Sequence, residues 1–467
     1  MRVRMGFVKK RRGARWQNIG THTLSILSIL LSLTLLAACT KKGPPLKGKR
    51  EPALVTTMHD KTGDAATFLQ PAPLRLDPAQ ATHAWPLVNS SPKNILQHIH
   101  FSGIERGLEK VWTFSDGSAH DAHLSMPPVV VKDKLFFMSG RQRIFALNLF
   151  DGKKIWSADM IYGDKQESPV WGGGCAFWRR SLFVASPYGD LFSLDAQNGK
   201  LLWHQKTTDL LRGSPLVTRD NIFVLTLKNQ LDVLETQTGM PLWTHMGVPE
   251  GVRFFGAATP AAQGSEVVVC YSSGEVYKLS TKTGRVLWSF IVSPNAAATE
   301  LDTIPHIVAS PVIYRGVVYV VAGSGKMVAL DFSSGALLWE KTYASLETPV
   351  VSGNNIFLIT HDALLRIDSK TGRPFWQTQL ADLKLEKDDQ ERQFFYGPLL
   401  INKKLYVLSQ KGALWALDAE TGKPIQRACH LNTACAMRPV VAQNHLFILT
   451  QSGTVHAFVA RKQKKMA

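Results

Sequence analysis

The segment Leu191–Trp203, with the sequence LFSLDAQNGKLLW, contains a pattern that recurs along the chain. A polar residue, usually Asp, is followed four positions later by Gly and four positions after that by Trp. The copies are Asn148–Gly152–Trp156, Asp195–Gly199–Trp203, Glu235–Gly239–Trp243, Ser280–Gly284–Trp288, Asp331–Gly335–Trp339 and Asp368–Gly372–Trp376, with Asp418–Gly422–Gln426 as a seventh that lacks the Trp. Successive copies are 37 to 51 residues apart. A fixed unit with connections of variable length is typical of a repeat protein.

Each copy predicts a β-hairpin. The residues before the polar position alternate in hydrophobicity, as expected of a strand with one buried face. The polar side chain can cap the tight turn, and Gly ends the turn because a positive φ costs little only for Gly. We expect the Trp to pack flat between neighbouring repeats, since each repeat needs the apolar area of the next.

Two further apolar runs precede each hairpin, so each repeat has four predicted strands. The first run often begins with a small residue and Pro, as in Pro215–Val217 and Pro311–Ile313, and Pro suits the first residue of a strand. Four strands at a period of about 40–50 residues predict the blades of a β-propeller. Seven repeats are complete, an eighth lacks its Trp strand, and an isolated strand at Lys110–Phe114 precedes them all. We therefore predict an all-β, eight-bladed propeller in which this N-terminal strand closes the last blade.

The positive charge is concentrated at the N-terminus. The chain has 467 residues and a formal net charge of +18, but residues 1–50 contain 12 Lys or Arg and no acidic residue. The remainder carries 42 basic and 36 acidic residues. No basic stripe with interleaved aromatic residues is present, which argues against a nucleic-acid partner.

The N-terminus has the pattern of an export signal. A basic stretch is followed by an apolar run at Leu24–Leu36, which is too short to span a bilayer, and then by the sequence LAAC, which ends at Cys39. This resembles the lipobox of bacterial lipoproteins, and the resemblance implies cleavage before Cys39 and acylation of that residue. Thr40 in place of the Asp of the inner-membrane retention pattern implies the outer membrane. An ordinary signal peptide with a chance cysteine is the alternative.

These patterns predict four segments. A signal peptide covers residues 1–38, and a lipidated cysteine with a flexible, Pro- and Lys-rich tether covers residues 39–105. The propeller covers residues 106–460 and a basic tail covers residues 461–467. The lipid chains would anchor the protein to the membrane.

The sequence contains no recognisable catalytic or metal-binding motif. Its histidines lack paired ligand spacings, so we expect structural roles for them and predict no catalytic residue, metal or cofactor. Cys429 and Cys435 frame a short connection in which a surface disulfide would fit an exported protein, and two reduced thiols are the alternative. Cys270 lies in an apolar strand and is expected to be buried. Cys175 follows a glycine-rich loop, where a free thiol is compatible with the sequence.

The repeat resembles that of the PQQ-like propeller family, most clearly in LSTKTGRVLW, IDSKTGRPFW and LDAETGKPIQ. One branch, the quinoprotein dehydrogenases, holds pyrroloquinoline quinone and calcium on the propeller axis. That branch has adjacent cysteines under the cofactor, and this sequence has none. The other branch, the BamB family of outer-membrane assembly lipoproteins, has a lipobox, a propeller and no cofactor, which agrees with the features above.

The resemblance to the BamB family implies a partner-binding region. Residues Thr299–Asp302 look like the T-E-I-D segment of that family, whose neighbouring loops contact BamA. The implied partner-binding residues are Val252, Arg253, Phe254, Phe255, Glu300 and Asp302. The sequence departs from the family pattern at His306–Val308, where an Asp pair is expected. Phe254 and Phe255 could instead pack beneath their own loop.

We therefore predict a non-enzymatic, lipid-anchored scaffold of the outer-membrane β-barrel assembly (Bam) complex that faces the periplasm. The implied partners are a BamA-type barrel protein, other Bam lipoproteins and unfolded outer-membrane proteins, which could add a strand to exposed blade edges. Two other functions stay open. One is an exported PQQ-dependent oxidoreductase, and the other is a propeller platform for a different envelope complex.

Overall fold

The computed structural model describes residues 68–117, 127–160, 172–249, 258–293, 306–383, 393–435 and 437–463. These residues form an all-β propeller, as predicted. They include no α-helix, and the two short helical turns, Ile104–Arg106 and Leu380–Asp382, are 3-10 helices. Within these ranges, no helix is long and apolar enough to cross a bilayer.

The described strands form eight sheets, of which seven have four strands and one has six. We number the sheets along the chain. Sheets 1 to 4 contain β4 (Val129–Val131), β5 (Lys134–Met138), β6 (Arg143–Asn148) and β7 (Lys154–Asp159); β8 (Gly174–Trp178), β9 (Ser181–Ala185), β10 (Asp190–Asp195) and β11 (Leu201–Lys206); β12 (Leu216–Val217), β13 (Asn221–Leu225), β14 (Gln230–Glu235) and β15 (Pro241–Met246); and β16 (Ala261–Gln263), β17 (Glu266–Cys270), β18 (Glu275–Ser280) and β19 (Val286–Ile291).

Sheets 5 to 8 continue this order. They contain β20 (Val312–Tyr314), β21 (Val317–Val321), β22 (Met327–Asp331) and β23 (Leu337–Lys341); β24 (Val350–Ser352), β25 (Asn355–Ile359), β26 (Ala363–Asp368) and β27 (Pro374–Gln379); β28 (Phe395–Ile401), β29 (Lys404–Ser409), β30 (Ala413–Asp418) and β31 (Pro424–His430); and β32 (Val440–Ala442), β33 (His445–Leu449), β34 (Thr454–Ala460) and β3 (Leu108–Ser115). In sheet 7, β28 is also paired with β2 (Ile99–His100), which pairs with β1 (Gln80–Ala81).

The N-terminal strand β3 completes sheet 8. It runs antiparallel to β34, with Trp112 opposite Ala457 and Phe114 opposite Val455. The prediction that the isolated Trp strand closes the last repeat is therefore confirmed. This pairing joins the two ends of the repeat array, so neither end leaves an incomplete sheet.

The constant spacing of Gly and Trp within the repeats of this chain is explained by a contact between neighbouring sheets. Gly284 in sheet 4 has φ +69°, and a Cβ atom built on it would lie 2.6 Å from the ring of Trp243 in sheet 3. The Trp243 indole nitrogen donates to the carbonyl oxygen of Thr281 in the same turn, at 3.1 Å. Equivalent Trp–Gly contacts are Trp112–Gly152, Trp156–Gly199, Trp203–Gly239, Trp288–Gly335, Trp339–Gly372 and Trp376–Gly422. The predicted roles of both residues are confirmed.

Antiparallel pairing gives the sheets two distinct ends. At one end lie the turns between first and second strands and between third and fourth strands, and backbone hydrogen bonds such as Thr281 N to Ser265 O (2.9 Å) join them. We call this end the turn face; it comprises residues 132–133, 149–153, 179–180, 196–200, 218–220, 236–240, 264–265, 281–285, 315–316, 332–336, 353–354, 369–373, 402–403, 419–423 and 443–444. The link face is the opposite end, where second strands turn into third strands and fourth strands lead to the next sheet.

Residues 68–101, which we call the strap, are packed on the sheets. The strap forms hydrogen bonds with every sheet except sheet 3 among those described. These bonds include Val130 N to Trp85 O (3.0 Å), Phe177 N to Pro86 O (2.8 Å), Ala262 N to Pro92 O (2.7 Å), Ile313 N to Lys93 O (3.0 Å), Asn355 Nδ2 to Arg75 O (2.6 Å), Asn402 N to Ile99 O (3.0 Å) and Gln443 N to Thr82 O (2.7 Å).

The strap corrects the prediction of a flexible tether that extends to residue 105. Trp85, Leu96, Ile99 and Phe101 are each at most 1% exposed. Backbone groups at the edges of the first strands need partners when they are buried, and the strap supplies them. The residues that make these contacts are far apart in the sequence, so no local periodicity predicts them.

Candidate partner-binding face

The residues implied as partner-binding lie outside the described part of the chain. Val252, Arg253, Phe254 and Phe255 belong to residues 250–257, and Glu300 and Asp302 belong to residues 294–305. Cys39 lies in residues 1–67, which are also not described. The ends of the two connections, however, are described, and they show where both connections leave the propeller.

Both connections leave the link face next to the same turn. This turn, Tyr271–Glu275, joins the second and third strands of sheet 4. Val248 N, before the first connection, donates to Glu275 Oε2 at 2.7 Å. Val292 N, before the second connection, donates to Gly274 O at 2.9 Å, and His306 N, after it, donates to Ser272 O at 3.1 Å. The structure therefore brings three of the four ends of these connections onto one turn.

The carboxylate of Glu275 accepts three hydrogen bonds from described residues. Besides Val248 N, it accepts from Ser273 Oγ at 2.8 Å and from the Tyr277 hydroxyl at 3.2 Å. Glu275 is 8% exposed. A buried carboxylate with several donors is held in one orientation, so it fixes the start of the first connection.

A second buried group links this turn to sheet 3. The Arg212 guanidinium, 5% exposed, donates to Ser272 Oγ at 2.7 Å and to Asn229 Oδ1 at 3.2 Å. Asn229 Nδ2 in turn donates to Val248 O at 3.0 Å. Burial, together with the positive charge of Arg212, lowers the pKa of His306 to about 4, so His306 is neutral at neutral pH.

The surroundings of this network are apolar and exposed. Met246, Val248 and Ile291, at the ends of the fourth strands of sheets 3 and 4, are 58%, 56% and 66% exposed. Large exposed apolar side chains beside a rigid polar base are typical of protein interaction sites rather than of catalytic centres. Together these features fit a docking surface for a protein partner.

Sequence reasoning did not identify the network itself. Arg212, Asn229, Glu275 and His306 come from three different sheets and follow no common motif. The positive φ angles of Asn229 (57°) and His306 (52°) mark special turns, but only Asn is a residue type that suggests such a conformation in advance. His306 is half-buried and neutral, which is compatible with the expected structural role.

The four cysteines in the described part of the chain are thiols in the structure. Cys175, Cys270, Cys429 and Cys435 are free, so the predicted Cys429–Cys435 disulfide is absent and that prediction is corrected. Burial raises the pKa of Cys429 and of Cys435 to about 12, and also that of Cys175. Thiols with such pKa values are poor nucleophiles and poor metal ligands at neutral pH. Cys270 is 1% exposed, as expected for a small buried residue.

Polar side chains of the strap bind the backbone next to the first strands of sheets 4 and 5. Asn94 of the strap donates to the carbonyl oxygens of Thr259 (2.9 Å), Pro260 (3.2 Å) and Pro311 (3.0 Å). Asn89 Nδ2 donates to Asn94 Oδ1 at 3.2 Å, and Asn89 Oδ1 accepts a hydrogen bond from Arg438 Nη2 at 3.1 Å. Across the described ranges, no group of three or more His, Cys, Asp or Glu could hold a metal ion.

Comparison with protein families gives two matches. The model described as "Outer membrane protein assembly factor BamB" matches residues 163–378. The model described as "Glucose/ethanol/alcohol dehydrogenase, beta-propeller domain" matches residues 94–205. Among related sequences, the outer membrane protein assembly factor BamB of Yersinia pestis is 25% identical, over 75% of this chain and 88% of its own length. The BamB of Escherichia coli is also 25% identical, over 74% of this chain and 87% of its own length.

Solved structures show the same fold. BamB from Moraxella catarrhalis superposes with a TM-score of 0.64 and 18% identity, covering 75% of this chain and 99% of that one. The quinohemoprotein alcohol dehydrogenase from Comamonas testosteroni superposes with a TM-score of 0.63 and 14% identity, covering 83% and 82%. At these identities, both superpositions establish the propeller fold and nothing about activity.

Proposed function

We propose that this chain, which carries PQQ-type repeats and is similar to BamB proteins over three quarters of its length, is a non-enzymatic scaffold of the outer-membrane β-barrel assembly complex. In this role it binds a BamA-type barrel protein, acts beside the other Bam lipoproteins and assists the insertion of β-barrel proteins. The binding surface is the link face at sheets 3, 4 and 5.

One observation carries this proposal. The turn Tyr271–Glu275 holds the ends of both connections that contain the implied partner-binding residues. A partner that inserts between two loops gains affinity when the loop bases are fixed, because less conformational entropy is lost on binding. The buried network of Arg212, Asn229 and Glu275 provides such a base.

The proposal includes the architecture of the ring and its attachment. Each of the eight sheets is one blade, with the strap-extended sheet 7 as the blade that has two additional strands. Cys39 carries the lipid anchor, and the propeller faces the periplasm at the outer membrane. Mass spectrometry of the protein purified from membranes checks the anchor, and an unmodified Cys39 would eliminate it.

The partner is tested by capture from gently solubilised outer membranes through a C-terminal tag. We expect the BamA-type barrel to be recovered with the wild-type protein. Recovery should fall by about tenfold or more when Arg253→Glu and Phe254→Ala are combined, as for central residues of an interface. The matched control, Arg179→Glu with Phe150→Ala, changes the same residue types on the turn face and should leave recovery unchanged.

Each other outcome has a clear meaning. Equal losses in both double variants would refute the link face as the binding surface. Recovery of a different envelope partner would refute the role in barrel assembly and favour a platform for another complex. A purified protein that absorbs near-ultraviolet and visible light through a bound quinone would instead favour the oxidoreductase.

A weaker interaction with unfolded substrates is supported by the outermost strands. Leu201 and Leu202 of β11 are 46% and 51% exposed, and Leu337 and Leu338 of β23 are 47% and 52% exposed. An extended peptide could pair with such an edge and contact these side chains. Peptides with β-barrel strand sequences should bind the purified protein more tightly than scrambled peptides; equal binding would remove this part of the proposal.

A further inference from the structure

The turn face has an excess of positive charge that neither the fold nor partner binding requires. The ranges that define this face contain 13 Lys or Arg and 4 Asp or Glu. Seven of the eight sheets contribute at least one basic residue, and sheet 8 contributes none. The charge is therefore spread across the face and is not confined to one blade.

Five more acidic residues lie just outside these ranges, directly before turns of this face: Asp195, Glu235, Asp331, Asp368 and Asp418. Three of them illustrate how such carboxylates bind the turn backbone. Asp195 Oδ1 accepts from Gln197 N at 2.8 Å, Asp331 Oδ1 from Ser334 N at 2.8 Å, and Asp418 Oδ1 from Thr421 N at 2.8 Å. These carboxylates stabilise the turns, as the repeat pattern predicts. These three carboxylates are thus used within their own turns. Two basic residues of the turn face do have acidic partners, since Lys153 lies 3.3 Å from Asp151 and Arg315 lies 2.7 Å from Asp77 of the strap.

Several of the basic side chains are exposed and take part in none of the ion pairs found among the described residues. They include Arg179 and Arg180 of sheet 2, Lys282 and Arg285 of sheet 4, and Lys403 of sheet 7. Ion pairs are also found on the link face. There Arg143 is paired with Asp159 (2.6 Å), Lys206 with Asp190 (3.1 Å) and Lys326 with Glu340 (2.7 Å).

The N-terminal part of the chain joins the propeller on this same side. Leu69 N donates to the carbonyl oxygen of Pro374 at 2.8 Å, and Pro374 directly follows the turn 369–373. Phe68, the first described residue, is 49% exposed. From Cys39 to Phe68 the chain can reach at most about 100 Å when fully extended. An anchor at Cys39 therefore keeps the turn face within reach of the membrane.

The geometry points to a membrane-contacting role for this face: we propose that the turn face binds the phosphate groups of anionic phospholipids. Clustered Lys and Arg side chains are attracted to anionic lipid surfaces without a shaped pocket. Phe150 and Met240, 54% and 63% exposed, lie in turns of this face and can enter the headgroup region. This orientation leaves the link face directed away from the lipid and open to a protein partner. The proposal rests on the membrane anchoring included in the proposed function.

The test uses vesicle flotation of the mature chain from residue 40 without its lipid, so that the anchor does not contribute. The compact unit that begins at Ala66 is kept whole. We expect binding to vesicles of phosphatidylcholine with about a third phosphatidylglycerol, and about tenfold or more weaker binding to pure phosphatidylcholine. Binding should be lost in about 0.5 M salt, because screening shortens the range of the attraction.

Two charge-matched variants locate the surface. Arg179→Glu, Arg180→Glu, Lys282→Glu and Lys403→Glu together should reduce binding to the anionic vesicles by about a hundredfold. The control, Arg141→Glu, Arg143→Glu, Lys206→Glu and Lys228→Glu, makes the same change in net charge on the link face and should retain binding within about threefold. Circular dichroism shows whether each variant is folded. If the fourfold turn-face variant does not fold, the single variants Arg180→Glu and Lys403→Glu are tested in its place.

Several results would overturn the proposal. Equal losses in both sets would show that total charge, not the turn face, determines binding. Displacement by millimolar inorganic phosphate at constant ionic strength would indicate a site for free phosphate. Binding to duplex DNA but not to vesicles would indicate a polyanion surface. The proposed function is judged separately, since capture of the BamA-type partner by the lipidated turn-face variant does not depend on this result.

Discussion

Substitution of Gly284 by Ala should destabilise the propeller more than its backbone conformation alone explains. At φ +69°, the left-handed backbone conformation costs Ala about 1–2 kcal/mol in folding free energy. The new Cβ would also lie 2.6, 2.8 and 3.2 Å from three atoms of the Trp243 ring, whereas carbon atoms prefer about 3.5–4.0 Å. Overpacking of this kind typically costs about 1–3 kcal/mol. The expected loss is thus about 2–5 kcal/mol in the free energy of unfolding.

Gly264 in the same sheet is a matched control. Its φ is +61°, and a Cβ atom there would have nothing within 4 Å. Gly264→Ala should therefore pay only the backbone cost of about 1–2 kcal/mol. The two variants are compared by urea unfolding, monitored by circular dichroism and by Trp fluorescence. The difference between them isolates the contact between sheets 3 and 4.

A third variant tests the cause. In the Gly284→Ala background, Trp243→Leu removes the ring that the new methyl group would meet, so part of the loss should disappear and the two changes should be non-additive by about 1 kcal/mol or more. If Gly284→Ala costs no more than Gly264→Ala, or if the two changes are additive, the Trp–Gly contact does not set the fixed spacing of the repeat.

Three further predictions follow from the strap, sheet 8 and the partner-binding face. Asn94→Ala should leave the carbonyl oxygens of Thr259 and Pro311 without their donor, which should destabilise the packing of the strap by about 1–3 kcal/mol. The backbone amides of the strap should then exchange hydrogen faster, and unchanged exchange would contradict the role assigned to Asn94. His456, bonded to Thr113 at 3.1 Å, has its pKa lowered to about 4 by burial and by Lys110, so the neutral form is favoured in the folded state. Its contribution is therefore present above about pH 6.5 and lost as the pH falls towards 4, and His456→Gln should flatten the pH dependence of unfolding in that window; an identical profile would refute this. Glu275→Gln should weaken partner capture several-fold at an almost unchanged unfolding midpoint, whereas Glu340→Gln on the same face should not; equal effects would argue against the anchoring of the connections by Glu275.

The repeat pattern was sufficient to predict the elements and how they join. A polar residue, Gly and Trp at fixed spacing define a hairpin, because the turn conformation and the side-chain period are local properties. The Trp112 strand was assigned to sheet 8 by counting what the last repeat lacked, and its pairing with β34 confirms this. The packing of each Trp between neighbouring sheets was also predicted, whereas its contact with the turn Gly of the next sheet is seen only in the structure.

The strap and the base of the proposed partner-binding face could be found only in the tertiary structure. Trp85 and Asn94 obey no period, and their partners at Val130, Thr259 and Pro311 become neighbours only when the ring assembles. Arg212 binds Ser272, and Glu275 binds Val248, so residues from neighbouring sheets likewise come together at the turn Tyr271–Glu275. The repeats and their hairpins could be predicted because they depend on local conformation. The structure decided what covers the inner strands and which connections share a base, because such contacts form between residues that only the folded ring brings together.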